Sequence, residues 1–281
     1  MNDNKYSVLL SVYRKEQAEY LDQALLSMVR QTVVPDEIVI VRDGPLTREL
    51  DEVIDTYKAR YPEMIQILTN ETNLGLGLAL QKGVPACRNE LIARMDSDDI
   101  ARPDRCEKQL KMFAEDPGLV ICGGAIREFN TTLDNTSGYR ICPSSDAELK
   151  QYIKTRCPFN HMTVMYKKSA VLEAGNYQDF LYNEDYLLWI RLYEKGYKFA
   201  NLPDVLVDVR VNDDLYQRRG GEAYYKSEKG IQDILLHDGI ITRTTYLSNV
   251  AKRFILQKLM PNALRGFLYK YVIRRKHEET K

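Results

Sequence analysis

Three aspartates, Asp96, Asp98 and Asp99, follow the apolar run Leu91-Ile92-Ala93, with Arg94, Met95 and Ser97 between them. This puts negative charge where a buried strand runs out into a loop. Like carboxylates a few ångströms apart repel, and partial burial disfavours their ionised forms unless a cation or dense hydrogen bonding compensates. Hard oxygen donors at this spacing suit Mg²⁺ or Mn²⁺, which hold one or two protein carboxylates and complete their shell with phosphate oxygens and water. The chemistry implied is binding of a nucleotide diphosphate. The ordinary alternative for so short a run is a solvated turn or helix cap.

Other residues of chemical interest lie at intervals along the chain. Asp43 precedes Gly44-Pro45, and local chemistry alone reads it as a turn residue capping its own backbone. Tyr13, in Ser11-Val12-Tyr13, is an aromatic at a strand end, where rim packing is usual. Asn73 and Gly75 read as a helix start, an N-cap followed by a glycine that permits close approach. Glu184-Asp185 is an acidic helix start of the kind the helix dipole favours. His161 falls in a loop ahead of a strand, and Trp189, the only tryptophan, lies one turn beyond Asp185.

In their order and spacing, Ser11-Val12-Tyr13, Asp43-Gly44, Asn73-Leu74-Gly75, Asp96-Ser97-Asp98, Arg102-Pro103-Asp104-Arg105 and Asn183-Glu184-Asp185 resemble the family-2 glycosyltransferases of the GT-A fold. The resemblance covers roughly residues 5 to 215, and its separated motifs make it more specific than any one of them. It implies an inverting transfer of a sugar from a nucleotide sugar. Asp43 would accept from the uracil N3–H, Tyr13 would face the base or ribose, and Ser11, Asn73, Gly75 and Arg94 would join the nucleotide-sugar contacts. Asp98 would coordinate the metal, with Asp96 reaching the metal or the ribose, and Asp99 would orient the loop. Asp185 would be the general base that takes the acceptor proton. Glu184, His161 and Trp189 are read as bordering the acceptor, His161 with a phosphate contact and Trp189 with core packing as its alternative. Arg210 and the Arg218-Arg219-Gly220-Gly221 cluster fall where the family has a flexible segment that closes over the diphosphate. One departure is Arg42, where the family usually carries an acidic residue.

Alternating strand-like and helix-like runs are what position these residues. Strands are expected at Tyr6–Val12, Glu37–Arg42, Met64–Thr69 and Leu91–Met95, with helices near 17–30, 48–60 and 75–88 between them. This pattern predicts an α/β protein, a mixed and mainly parallel sheet flanked by helices. In such sheets ligands bind outside the carboxyl ends of the strands, so Tyr13, Asp43, Asn73 and Asp96 should converge. Further on, the reading is a helix from Asp104, a short strand at Leu119–Cys122, an irregular stretch through Pro143, and a helix opened by a Ser145/Glu148 capping box. A strand at Met162–Lys167, a short helix at 169–174 and a helix from Glu184 to Lys195 follow. Residues 1–215 are expected to form the catalytic domain, with a nucleotide-sugar half to about 122 and an acceptor half from about 123. Residues 216–281 are expected to form a basic helical extension.

The chain has 281 residues and zero formal net charge, which gives no reason to expect nucleic-acid binding. Residues 246–281 nevertheless hold nine Lys/Arg and two Glu, a net of +7. Apolar and basic residues interleave there, in the manner of helices lying on anionic membranes or packing on the catalytic domain or on a second subunit of a homodimer. Five scattered cysteines suggest small core hydrophobes in a reducing compartment. Val8-Leu9-Leu10 is too short for a signal-peptide core, and no apolar run approaches the roughly 20 residues of a spanning helix. The expected location is cytoplasmic, peripheral on the inner face of the membrane.

The leading expectation is a metal-dependent glycosyltransferase acting on a lipid-linked saccharide in capsule, exopolysaccharide or O-antigen synthesis, with Mn²⁺ or Mg²⁺ as cofactor and a UDP-sugar as donor. A processive synthase is disfavoured because spanning helices and a Q-x-x-R-W element are missing. A nucleotidyltransferase should carry a glycine-rich basic loop after its first strand, and Ser11-Val12-Tyr13-Arg14 does not provide one. A non-catalytic nucleotide-sugar-binding scaffold would leave the retained acidic residues unexplained.

Overall fold

The computed structural model describes residues 5–211 and 220–260. The first half is β1 (Tyr6–Val12), α1 (Ala18–Val29), β2 (Glu37–Asp43), α2 (Arg48–Arg60), β3 (Ile65–Asn70), α3 (Leu76–Ala86), β4 (Leu91–Arg94), β5 (Ile100–Ala101) and α4 (Arg105–Glu115). β6 (Leu119–Phe129), β7 (Thr136–Arg140), α5 (Asp146–Tyr152), a 3₁₀ turn (His161–Thr163), β8 (Met165–Lys167), α6 (Lys168–Glu173), α7 (Glu184–Glu194) and β9 (Lys198–Arg210) follow. Two helices, α8 (Glu222–His237) and α9 (Arg243–Phe254), and a π-helical turn (Ile255–Leu259) complete the described chain.

The sheet runs β3-β2-β1-β4-β8-β6-β9-β5, with β7 pairing the far end of β6. β1 pairs in parallel with β2 and β4, and β2 with β3. Chain order therefore reverses between β1 and β4, which is the switch point where doubly wound sheets bind ligands. Alternation within the strands serves two cores. Val8, Leu10 and Val12 of β1 pack with Leu21, Leu25 and Met28 of α1, a helical i, i+4, i+7 stripe, while Leu9 faces Leu80 and Val84 of α3 on the opposite side. The expected helices at 17–30, 48–60 and 75–88 thus exist within a residue or two.

The second half departs from expectation. β6 runs to Phe129, well beyond Cys122, and pairs with β7 in what was read as an irregular stretch. The strand expected at Met162–Lys167 is a 3₁₀ turn followed by three strand residues. β9 had no sequence counterpart, because Asp204, Asp208 and Arg210 interrupt its apolar pattern. Buried Asp208 is tolerated there by ion pairs to Arg127 at 2.6 Å and Arg102 at 3.1 Å. The Ser145/Glu148 capping box is present.

α8 and α9 pack onto this body. Ile231 and Leu235 join the core around Trp189. Asn249 donates to Gln232 Oε1 at 2.8 Å and to the Lys154 carbonyl at 3.0 Å, and Arg253 pairs with Glu228 at 2.6 Å. Up to residue 260, the extension therefore packs on the preceding body. Leu247, Ile255 and Leu259 remain exposed. Arg218, Arg219 and the tail from residue 261 lie outside the described residues. Among the described residues no helix is long and apolar enough to cross a membrane, and all five cysteines are unbridged, four of them buried.

Candidate active site

The carboxyl ends of β1, β2, β3 and β4 open into one crevice of about 2150 Å³. Single ligand sites reach about 1,000 Å³, so this volume has room for a nucleotide sugar and an acceptor together. Ser11, Tyr13, Asp43, Asn73, Gly75, Asp96, Asp98, Glu184 and Arg210 all line it. Residues as far apart in sequence as Ser11 and Arg210 are thus brought together by sheet topology.

Asp43, the last residue of β2, accepts from the Asn70 amide and the Leu74 N–H on one oxygen, both at 2.9 Å, and from the Gly75 N–H on the other at 2.9 Å. It ties the strand end to the start of α3, a cap made across the sheet. Gly44 completes the junction: its φ is +84°, and a Cβ there would stand 2.6 Å from the Asn73 nitrogen. At Gly77 a Cβ would stand 2.6 Å from the Gln178 carbonyl oxygen and 3.1 Å from Glu184 Cβ, so this glycine lets α3 approach the start of α7. Arg42 turns away toward α2, pairing with Asp55 at 2.9 Å and Asp51 at 3.4 Å, so the departure from the family pattern leaves the crevice charge unaltered.

Ligand oxygens of Asp96, Asp98 and Asp99 all lie within 4.8 Å of one another. Burial, then the charges of Asp96 and Glu16, push the Asp98 carboxyl up to about 7. Burial and then Asp98 and Asp96 also hold Asp99 well above the usual carboxylate range, against a hydrogen bond from the Arg210 N–H at 2.9 Å. Three carboxylates converging with so little compensation are a set of hard donors that a divalent cation fits. Glu16, not foreseen from the sequence, reaches the same loop by accepting from the Ser97 hydroxyl at 2.7 Å.

Arg94 does not line the crevice, contrary to the reading that grouped it with the nucleotide contacts. It is 1% exposed and sits beneath the loop, pairing with Asp96 at 2.5 Å. Arg210 ends β9 rather than belonging to a flexible segment. Its guanidinium stands 3.8 Å from the Tyr20 ring centroid and 4.8 Å from that of Phe129, and donates to Gln23 Oε1 at 2.8 Å and the Asp98 carbonyl at 3.3 Å. Tyr20, Gln23 and Phe129 also line the crevice and carry no sequence signal, since each follows the periodicity of its own element.

On the α7 side, burial and then Asp185 push Glu184 up to about 7. Asp185 is raised by burial, and its carboxylate turns behind the wall, accepting from the Tyr186 N–H at 2.7 Å and the Cys157 thiol at 3.4 Å. Trp189 is fully buried, edge-on to Phe159 at 5.5 Å and His161 at 6.0 Å, so of its two readings the structure shows core packing. His161 also stands behind the wall, its Nε2 2.9 Å from the Tyr177 hydroxyl. Burial and then Arg94 hold it well below the usual imidazole range, hence neutral. Its neighbour Met162 lines the crevice in its place.

Comparison with known proteins agrees with this geometry. Residues 7–173, more than half the chain, match the model of glycosyl transferase family 2, and residues 91–264 match glycosyl transferase family group 2. The amylovoran biosynthesis glycosyltransferase AmsE of Erwinia amylovora is 40% identical over 94% of this chain and 97% of its own. A UDP-Gal:α-D-GlcNAc-diphosphoundecaprenol β-1,3-galactosyltransferase of Escherichia coli is 38% identical over 96% of this chain and 97% of its own. A mannosyltransferase of Pyrobaculum calidifontis, solved with GDP-Man and Mn²⁺, superposes with a TM-score of 0.64 over 94% of this chain and 74% of its own at 14% identity, a likeness of fold. The chain belongs to glycosyl transferase family 2 and is a glycosyltransferase of the GT-A fold.

Proposed function

We propose that this enzyme transfers a sugar, with inversion and with Mn²⁺ or Mg²⁺, from a UDP-sugar to a hydroxyl of a lipid-linked saccharide during polysaccharide assembly. The observation that carries the proposal is the convergence of Asp96, Asp98 and Asp99 at the switch point of the sheet, inside a crevice large enough for donor and acceptor. The galactosyltransferase relative, whose name specifies a UDP-sugar and a diphospholipid-linked acceptor, supports the substrate class. The site then divides as the sequence reading has it, donor contacts before about residue 122 and acceptor contacts after.

Asp98 and Asp96 would hold the metal, which supplies charge neutralisation for the departing diphosphate. Asp99 orients the loop through the Arg210 N–H. Asp43 retains lone-pair capacity on the oxygen bound by Gly75 alone, and that oxygen is assigned to the uracil N3–H, with Ser11 and Tyr13 beside the nucleoside. Asp185, at the position matching the family element, is assigned as the base that takes the acceptor proton. A second reading gives that role to Glu184, because its side chain lines the crevice and a carboxyl near 7 suits proton transfer at neutral pH.

The acceptor's lipid would bring the enzyme to the inner face of the membrane, with the basic tail adding electrostatic attraction. The deciding experiment is a panel of UDP-, GDP- and dTDP-sugars screened for Mn²⁺-dependent thermal stabilisation, since ligand that binds the folded state raises the melting temperature with its occupancy. Stabilisation by a UDP-sugar only with Mn²⁺ is expected. No stabilisation by any nucleotide sugar would overturn the proposal.

A further inference from the structure

The loop that leads into α7 presents apolar surface at the lip of the crevice. Leu181 is 62% exposed and Tyr182 48% exposed, and both line the crevice. Tyr182 holds φ at +70°, a region bulky L residues avoid and keep only where their surroundings over-determine it. Those surroundings come from one face of α8. Ser227 donates its hydroxyl to the Leu181 carbonyl and accepts from Asn183 Nδ2 at 2.8 Å. The Tyr224 ring lies 5.5 Å from that of Tyr182, tilted by 49°. Phe180 packs where residue 230 would carry a Cβ, with a ring carbon 3.1 Å from that point, so Gly230 lets the ring sit close against α8.

Burial alone would turn Leu181 and Tyr182 inward. They are instead held outward, and Tyr182 stands two residues before Glu184, within about 7.6 Å along the backbone. An acceptor must come within reach of a base at the start of α7, and this loop forms the crevice lip next to it. A pyranose ring carries an apolar C–H face and a hydroxyl edge. An aromatic face, negative at its π surface, attracts such C–H groups and fixes the ring plane without needing a particular hydroxyl pattern.

We propose that Tyr182, flanked by Leu181 and positioned by α8, is the platform on which the acceptor's sugar ring stacks. The inference rests on the glycosyltransferase reading above, and the measurements below separate the two. The full chain with UDP and Mn²⁺ is titrated calorimetrically with N-acetylglucosamine joined through a diphosphate to a short alkyl chain. Tyr182→Ala and Tyr182→Gly, the latter at ease with positive φ, are expected to bind this probe at least about tenfold more weakly than wild type, and Tyr182→Phe nearly as well as wild type. UDP affinity in the presence of Mn²⁺ is expected to stay the same in all four proteins. Ser227→Ala, which loosens the seat of the loop, should fall between wild type and Tyr182→Ala. Unchanged probe affinity in the Ala and Gly variants overturns the platform, as does equal weakening in Tyr182→Phe, which would assign the effect to the phenol hydroxyl. Wild type that binds UDP and not the probe also overturns it while leaving the donor site standing. Wild type that binds no UDP with Mn²⁺ overturns the parent reading and this one with it.

Discussion

Arg94 and Asp96 form an ion pair at 2.5 Å in which the arginine side chain is 1% exposed and the aspartate 26% exposed. The cation is locked beneath the acidic loop, and its Nε and Nη1 have no hydrogen-bond partner among the described residues. The loop is thus anchored from below by a charge that depends on Asp96 and is open from above toward the crevice.

Removing one partner of a buried pair leaves the other uncompensated, which costs about 3–5 kcal/mol. Asp96→Ala should therefore destabilise the protein by about 3 kcal/mol, seen as a lower denaturant midpoint. Asp98→Ala relieves repulsion, so its midpoint should stay level or rise. Equal losses in both variants would refute the anchoring role of Asp96.

For Asp98→Ala, calorimetry with UDP and Mn²⁺ should show metal-dependent binding abolished in a folded protein, because a ligand oxygen is lost. Unchanged affinity would remove Asp98 from the metal site.

Asp43→Ala deletes an acceptor of three hydrogen bonds. Bonds to a charged group contribute about 1.5–3 kcal/mol each, and several here serve partly exposed donors, so a loss near 3 kcal/mol is expected. Uridine binding should weaken while Mn²⁺ affinity is largely retained. Parallel loss of both would count against a base-reading role.

Asp98 and Glu184 are both raised to about 7 in the folded protein. Between the unfolded carboxylate range near 4 and pH 7, the native state binds more protons than the unfolded state, so stability falls as pH rises through that window and levels off above it. Without metal, the melting temperature should drop from pH 5 to pH 7.5. Asp98→Asn should flatten the profile, and Mn²⁺ should restore stability at the upper end. A rise in melting temperature over the same window would contradict the buried-carboxylate account.

Asp185→Asn and Glu184→Gln separate the two candidates for the base. The variant lacking the base should lose roughly 10²–10⁴-fold in turnover with donor binding intact. A capping role for Asp185 predicts little change on substitution by Asn, which caps nearly as well. Full turnover in Asp185→Asn with loss in Glu184→Gln would transfer the role to Glu184.

Much of this was determined by local sequence. The i, i+4, i+7 stripe of α1, the strand-end position of Asp43 and the Ser145/Glu148 cap each depend on residues within a turn or two, and the acidic run after an apolar strand carries its own chemistry. The order of the motifs was enough to identify the family. What only tertiary structure decided depends on partners distant in the chain. β9 exists as a strand because β6 pairs with it and Arg127 and Arg102 neutralise buried Asp208. Trp189 lies in the core because Phe159, Tyr166 and Tyr177 surround it. Glu184 faces the crevice, where Gly77 lets α3 close against the start of α7, while Asp185 turns to Cys157. Periodicity assigns a residue to an element, but the direction in which its side chain acts is set by what packs against that element.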